Sequence, residues 1–205
     1  MHPMVLALAT VVLLWAGRLL PRVPEVEVAL AGYLLALVAW IAFGPSQVRG
    51  DLGFSEWRPS WLATGTLWGV GLVLLSAGAY MVSARLFGLE PPAEQALVRG
   101  GGVLRMGLLV GVVLASALLE EWVFRGVLLQ GLGELPPMGV VVVSAAVFAV
   151  YHLSLFQLLP TFLLGVGLAV LVQRTGSLGP AVLAHAVFNL TGLFLSSAMA
   201  RGPGV

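Results

Sequence analysis

Residues 106–130 read MGLLVGVVLASALLEEWVFRGVLLQ, and this stretch decides the class of the protein. It is long enough to cross a bilayer, because a transmembrane helix needs about 20 consecutive, mostly apolar residues. Its only charged residues are Glu120, Glu121 and Arg125. A charge at the centre of a membrane helix costs about 2.5–3.5 kcal/mol on insertion scales, so charges kept there indicate a functional role.

The composition of the whole chain indicates the same class. Of the 205 residues, 60% are hydrophobic and 9% are charged, and the mean hydropathy is +1.04. Soluble domains carry about 25% charged residues, so these values exclude an ordinary water-soluble globule, and a disordered chain would be richer in charge. The net charge of +1, without a basic run, argues against a nucleic-acid partner. The absence of cysteine excludes disulfides, thiolate metal sites and a cysteine nucleophile.

Prolines, glycines and polar loops divide the chain into seven apolar segments. We therefore predict an all-α, polytopic transmembrane bundle of about seven helices (between about six and eight) that forms a single membrane domain over 1–205. The predicted helices are 4–20, 26–44, 61–83, 106–130, 138–153, 155–173 and 178–198. Residues 1–104 would supply N-terminal helices and loops, including an interfacial helix around 93–99, and residues 105–198 would form the core. The short segment 138–153 predicts a tilted or partly buried helix.

Further polar residues lie inside two of the later segments: His152 in the fifth, and His185 and Asn189 in the seventh. Because polar groups in apolar spans are costly, we expect the three spans that carry them to converge on one interior site. Residues four apart share a helix face. Glu121 and Arg125 can therefore form an ion pair, and His185 and Asn189 would project into one pocket.

Glu120 points about 100° away from Glu121 around the helix, which leaves it outside that ion pair. Burial makes a carboxylate more basic, so Glu120 suits the role of a general base. A histidine can orient water, and the N–H groups of histidine and asparagine can stabilise an oxyanion. Phe148 lies one turn before His152 and would form an apolar wall. This set supports attack of water on an amide carbonyl, with no nucleophile from the protein.

Three motifs in this order resemble those of the CPBP family, which comprises the type II CAAX prenyl proteases and the bacterial bacteriocin-processing and immunity proteins, also called Abi proteins. The motifs are Glu120-Glu121-x-x-x-Arg125, Phe148-x-x-x-His152 and His185-x-x-x-Asn189. The resemblance covers about 105–195, and it identifies the predicted core 105–198 as a catalytic core similar to that of CAAX proteases.

The resemblance implies an intramembrane endopeptidase that uses a glutamate-activated water. Its catalytic residues would be Glu120 as the base, His152 as its partner in activating water, and His185 with Asn189 at the oxyanion site. The supporting residues would be Glu121, Arg125 and Phe148.

The resemblance also implies the setting of the reaction. The substrate would be a membrane-associated peptide or protein, and eukaryotic members cleave prenylated CAAX tails. The chain would be a multi-pass protein of a prokaryotic cell membrane, with the lipid bilayer as its surroundings and no nucleic-acid partner.

Three alternatives remain open on the sequence. No cofactor is favoured, but Glu120, His152 and His185 could supply three zinc ligands and leave one position open, which would make the protein a metalloprotease. Intramembrane carboxylates and histidines also occur in proton-coupled transporters. A membrane immunity protein without enzymatic activity is the third alternative.

Overall fold

The computed structural model describes residues 58–88 and 103–200, and all regular structure in these two ranges is helical. Five helices follow in chain order: α1 Ser60–Phe87, α2 Val103–Gly131, α3 Pro137–Tyr151, α4 Leu155–Thr175 and α5 Leu178–Ala200. The all-α prediction is confirmed, and each of the five segments predicted from residue 61 onward corresponds to one helix. The predicted helices 4–20, 26–44 and 93–99 lie outside the described residues, and the division into 1–104 and 105–198 stays a prediction.

Four helices of the described part, α1, α2, α4 and α5, are long and apolar enough to cross a membrane. The fifth, α3, has 15 residues, which span about 22 Å, whereas the hydrocarbon core of a bilayer is about 30 Å thick. The sequence predicts a tilted or partly buried helix here, and seven of the 15 residues of α3 are buried. Helix α3 pairs with α4 as an antiparallel hairpin, in which Gln173 Nε2 donates to the carbonyl oxygen of Pro137 at 3.2 Å.

A three-residue connection, His152 to Ser154, joins α3 to α4. Leu153 has a φ of 53°, a left-handed conformation that costs a residue with a Cβ about 1–3 kcal/mol. Ser154 then caps α4, since its hydroxyl accepts the backbone N–H of Gln157 at 3.3 Å. The tight turn fixes His152 at the C-terminal end of α3.

Helix α1 lies against α5 with the backbones in contact. A Cβ added at Gly65 would lie 2.8 Å from the carbonyl oxygen of Pro180, and one added at Gly69 would lie 2.8 Å from that of Ala184. The two glycines are four residues apart, the small-residue spacing that lets membrane helices approach closely. Pro180 and Ala184, the partners of Gly65 and Gly69, are also four residues apart and follow in the same order. Helices α1 and α5 therefore run in the same direction.

Two glycines of α4 make close contacts with two different helices. A Cβ at Gly165 would lie 3.0 Å from the Cα of Ala145 on α3, and one at Gly167 would overlap the side chain of Leu72 on α1. Small residues at these two positions let the neighbouring helices approach closely. Helix α4 is therefore held between α3 and α1.

The second half of α2 departs from α-helical geometry. Residues Trp122–Leu128 form a π-helix, in which each N–H bonds five residues back and the turn is wider than in an α-helix. All seven residues are buried, and the Trp122 indole covers the space beside Gly126, where a Cβ would lie 2.8 Å from Trp122 Cδ1. The sequence predicts one continuous α-helix over 106–130, so its extent is right and its internal geometry is different.

The contact between α1 and α5 predicts a strong dependence on Gly69. We expect Gly69→Ala to destabilise the protein by about 1–3 kcal/mol, because the added methyl group overpacks the contact with the Ala184 backbone. Gly78→Ala is the matched control, since a Cβ at Gly78 meets nothing within 4 Å. Thermal unfolding in detergent measures both variants, and equal melting temperatures would contradict this packing.

Candidate active site

The two adjacent carboxylates of α2 lie in the protein interior, where the α-helical part of α2 passes into the π-helix. Glu120 is 4% exposed and Glu121 is fully buried. Buried charges are costly unless other groups pair with them. The partners of these two side chains therefore define the site.

Glu121 forms the ion pair that the sequence predicts. Nη1 of Arg125 donates to Glu121 Oε1 at 2.9 Å, and both side chains are fully buried. Nη2 of Arg125 donates to the carbonyl oxygen of Gly165 on α4 at 3.2 Å. The guanidinium also lies over the ring of Phe148 on α3, 4.4 Å from its centroid, within the range of a cation–π contact. One arginine thus connects α2 with α3 and α4.

His185 on α5 contacts both carboxylates. Its Nδ1 lies 2.7 Å from Glu121 Oε1, and its Nε2 lies 3.9 Å from Glu120 Oε2. An ionised carboxylate only accepts hydrogen bonds, so Nδ1 carries a proton and donates it to Glu121. The distance from Nε2 to Glu120 is too long for a direct hydrogen bond and suits a bridging water molecule.

Phe148 separates the two histidines of the site. Its ring meets His152 edge to face at a centroid distance of 4.8 Å and His185 at 5.8 Å. The ring is fully buried, and Phe124 packs against it at 5.0 Å. The apolar wall that the sequence predicts at Phe148 is present, and it positions both imidazoles.

His152 and Asn189 occupy the more exposed part of the site, and both are half-buried. Nδ1 of His152 donates to the carbonyl oxygen of Phe148 at 2.9 Å, which fixes the ring at the end of α3. Asn189 lies one turn after His185 on α5, and its side-chain amide makes no hydrogen bond with any residue in the described ranges. Its N–H groups are therefore available to an incoming molecule.

The structure brings six of the predicted site residues into contact and places the seventh, Asn189, one turn after His185. Glu120, Glu121 and Arg125 come from α2, Phe148 and His152 from the end of α3, and His185 and Asn189 from α5. Sequence reasoning missed two contacts: the bond between His185 and Glu121, and the Gly165 carbonyl that accepts from Arg125. The one available signal was the pattern of small residues around Gly165, which indicates a close approach of α4.

The donor set of the site can be compared with the geometry of a zinc site. Across residues 58–88 and 103–200, no group of three His, Asp or Glu side chains is placed to hold a metal ion. In the zinc set of Glu120, His152 and His185, Nε2 of His185 and Oε2 of Glu120 are 3.9 Å apart. A tetrahedral zinc ion with bonds of about 2.1 Å holds its ligand atoms about 3.4 Å apart. The separation between Nε2 of His185 and Oε2 of Glu120 is wider than that spacing, and metal analysis of the purified protein is the test of the zinc alternative.

The ion pair predicts a large stability effect at Arg125. We expect Arg125→Met, which keeps an apolar stem, to destabilise the protein by about 3–5 kcal/mol, because it removes a partner from the buried carboxylate of Glu121. The double variant Glu121→Gln/Arg125→Met should be less destabilised than Arg125→Met, because no unpaired charge is left. Melting in detergent tests this, and an unchanged melting temperature for Arg125→Met would refute the structural importance of the pair.

The part of the chain that contains this site matches a known protein family. Residues 102–191 match the family described as type II CAAX prenyl endopeptidase Rce1-like, and the match includes all three motifs. No curated protein and no solved structure gives a significant match to the chain. Over residues 102–191, the chain is therefore similar to the Rce1-like type II CAAX prenyl endopeptidase family, within an integral membrane protein whose described regular structure is all helical.

Proposed function

We propose that the protein hydrolyses a peptide bond of a membrane-associated peptide or protein, in a prokaryotic cell membrane, with a water molecule activated by Glu120. The observation that supports this most directly is the position of the buried Glu120 carboxylate. Its Oε2 lies 3.9 Å from Nε2 of His185, between helices that are long and apolar enough to cross a membrane. Family membership supports the endopeptidase activity.

The catalytic step needs only groups of this chain and water. Glu120 takes a proton from the water as its oxygen bonds to the carbonyl carbon of the substrate. The carbonyl oxygen becomes an oxyanion, and N–H groups of Asn189 and His185 stabilise it. When the C–N bond breaks, Glu120 returns the proton to the leaving amine. His152 lies beside the same aromatic ring as His185 and orients the attacking water.

Glu121 and Arg125 act through His185 in this scheme and do not touch the substrate. Nδ1 of His185 is already bonded to Glu121, so a donor at Nε2 requires a second proton on the ring. The Glu121 carboxylate is then the counter-charge of that imidazolium. The negative charge of Glu121 is also shared with Arg125, which holds the carboxylate in place.

The substrate is a peptide or protein that reaches this depth of the bilayer, and prenylation of its tail is the finer part of the proposal. A farnesylated CAAX peptide and the same peptide without its prenyl group separate the two cases. Faster cleavage of the prenylated peptide supports recognition of the lipid, and equal rates limit the requirement to membrane association.

The base assignment predicts the behaviour of Glu120→Gln. This change keeps the size of the side chain and removes its basicity, so turnover should fall to the background rate while folding and peptide binding are retained. Glu134→Gln, the same change at an exposed position between α2 and α3, is the control and should stay active. Cleavage of a fluorogenic peptide in detergent measures both variants, and full activity of Glu120→Gln would refute the mechanism.

The oxyanion assignment predicts a partial loss at Asn189. Removal of one donor typically lowers the catalytic rate by about 10²–10³-fold, so Asn189→Ala should keep measurable activity above that of Glu120→Gln. The loss should fall on kcat, because the donor acts on the transition state. A rate equal to that of the wild type would exclude Asn189 from the reaction.

Two further measurements separate the alternatives. A zinc enzyme would contain stoichiometric metal, lose it on His152→Ala and His185→Ala, and regain activity after stripping only when metal is added. Cleavage by protein stripped of metal would reject that alternative. A transporter would move protons or solute in proteoliposomes without peptide cleavage.

A further inference from the structure

A groove of about 540 Å³ lies between α1 and α4. Gly167 of α4 lines the groove, whereas Gly165, the carbonyl of which accepts from Arg125, does not. Its walls are mainly apolar and include Leu67, Trp68, Leu75, Leu163 and Val166. The volume is in the range of ligand sites, about 300–1,000 Å³. The groove opens outward: Leu67 is 73% exposed and Leu75 is 52% exposed, on a helix long enough to cross a membrane.

The groove exists because α1 has no side chain at Gly71. A Cβ built there would meet no atom within 4 Å, so the backbone of α1 forms the floor of this part of the groove. From Thr64 to Leu75, the lining residues of α1 rise about 16 Å along the helix. This length is about half of the 30 Å hydrocarbon core of a bilayer, and it matches the depth of one leaflet.

A positive charge lies at one end of the groove. Arg174 is exposed in the last turn of α4, and its guanidinium carbon lies 5.9 Å from the ring centroid of Trp68. The indole N–H of Trp68 donates to the carbonyl oxygen of Gly167 at 3.0 Å, which fixes the ring as a wall of the groove. Among residues 58–88 and 103–200, no carboxylate pairs with Arg174. Arginine side chains near the ends of membrane helices typically extend to the membrane interface.

We propose that this groove binds a phospholipid with an anionic headgroup. One acyl chain lies along the apolar walls over Gly71, and the headgroup phosphate accepts hydrogen bonds from Arg174. The bilayer around α1 supplies the acyl chain. The Arg174 guanidinium, which no carboxylate of the described ranges pairs with, supplies the charge complementarity that selects an anionic lipid. This site is separate from the peptidase site and goes beyond the proposed activity.

The bound lipid would stabilise the contact between α1 and α4. Gly167 contacts both Leu72 and Trp68 of α1, and it lies two residues after Gly165, the carbonyl of which accepts from Arg125. An acyl chain in the groove therefore packs on the outer side of the segment that supports the buried ion pair. The lipid acts on stability and leaves the chemistry unchanged.

Native mass spectrometry of the full chain tests the site. The protein is extracted from nanodiscs that contain equal amounts of phosphatidylglycerol and phosphatidylcholine, and we expect a one-to-one adduct with the anionic lipid. Arg174→Gln should weaken that adduct by about tenfold or more, since it removes the charge-assisted hydrogen bonds to the phosphate. Arg85→Gln, the same change in the last turn of α1, is the control and should leave the adduct unchanged.

Gly71→Leu fills the groove and should abolish binding of both lipids, whereas Gly78→Leu, at another open position of α1, should not. If Gly71→Leu fails to fold, the comparison of Arg174→Gln with Arg85→Gln still decides. Equal adducts with the two lipids, an equal loss in both arginine variants, or no adduct in the wild type would each overturn the proposal. The absence of an adduct in the wild type would also be the result if another part of the chain occupied the groove.

Discussion

A single carboxylate oxygen connects most of the described helices. Oε1 of Glu121 accepts from Arg125 at 2.9 Å and from His185 at 2.7 Å, with all three side chains buried. Charges this far from water are tolerated when hydrogen-bonded partners compensate them. Arg125 then reaches α4 through the Gly165 carbonyl and α3 through the Phe148 ring. The position of Glu121 therefore sets the relative positions of α2, α3, α4 and α5.

Small residues let the other helices approach this centre. Gly65 and Gly69 bring the backbone of α1 against α5, and Gly165 brings α4 against α3. In a membrane, van der Waals packing of this kind replaces much of the hydrophobic driving force of a soluble core. Together, these contacts hold the imidazole of His185 next to the carboxylates of Glu120 and Glu121. The proposed hydrolysis by an activated water would depend on this fixed arrangement, since proximity and orientation are a large part of catalysis.

Local spacing predicted much of this arrangement. The ion pair between Glu121 and Arg125 follows from four-residue separation on one helix, and the helical segments from 61 onward follow from apolar length and from proline and glycine positions. The bond between His185 and Glu121 could not be predicted, because it depends on how α5 is rotated and shifted against α2. The Gly165 carbonyl is a backbone group, which every residue has, so the small residues around it indicate a close approach of α4 but not the hydrogen bond from Arg125. The π-helix over Trp122–Leu128 likewise has no local signature that separates it from an α-helix.

The short sequence separation of the ion pair also matters for insertion of the protein into the membrane. Glu121 and Arg125 belong to the same helix, and only one turn separates them. Helix α2 can therefore enter the bilayer with two of its three central charges already compensating each other, before the ribosome has synthesised α4 or α5. Charged segments are otherwise costly to insert. The ion pair that His185 later joins can therefore be accommodated in lipid before α5 is inserted.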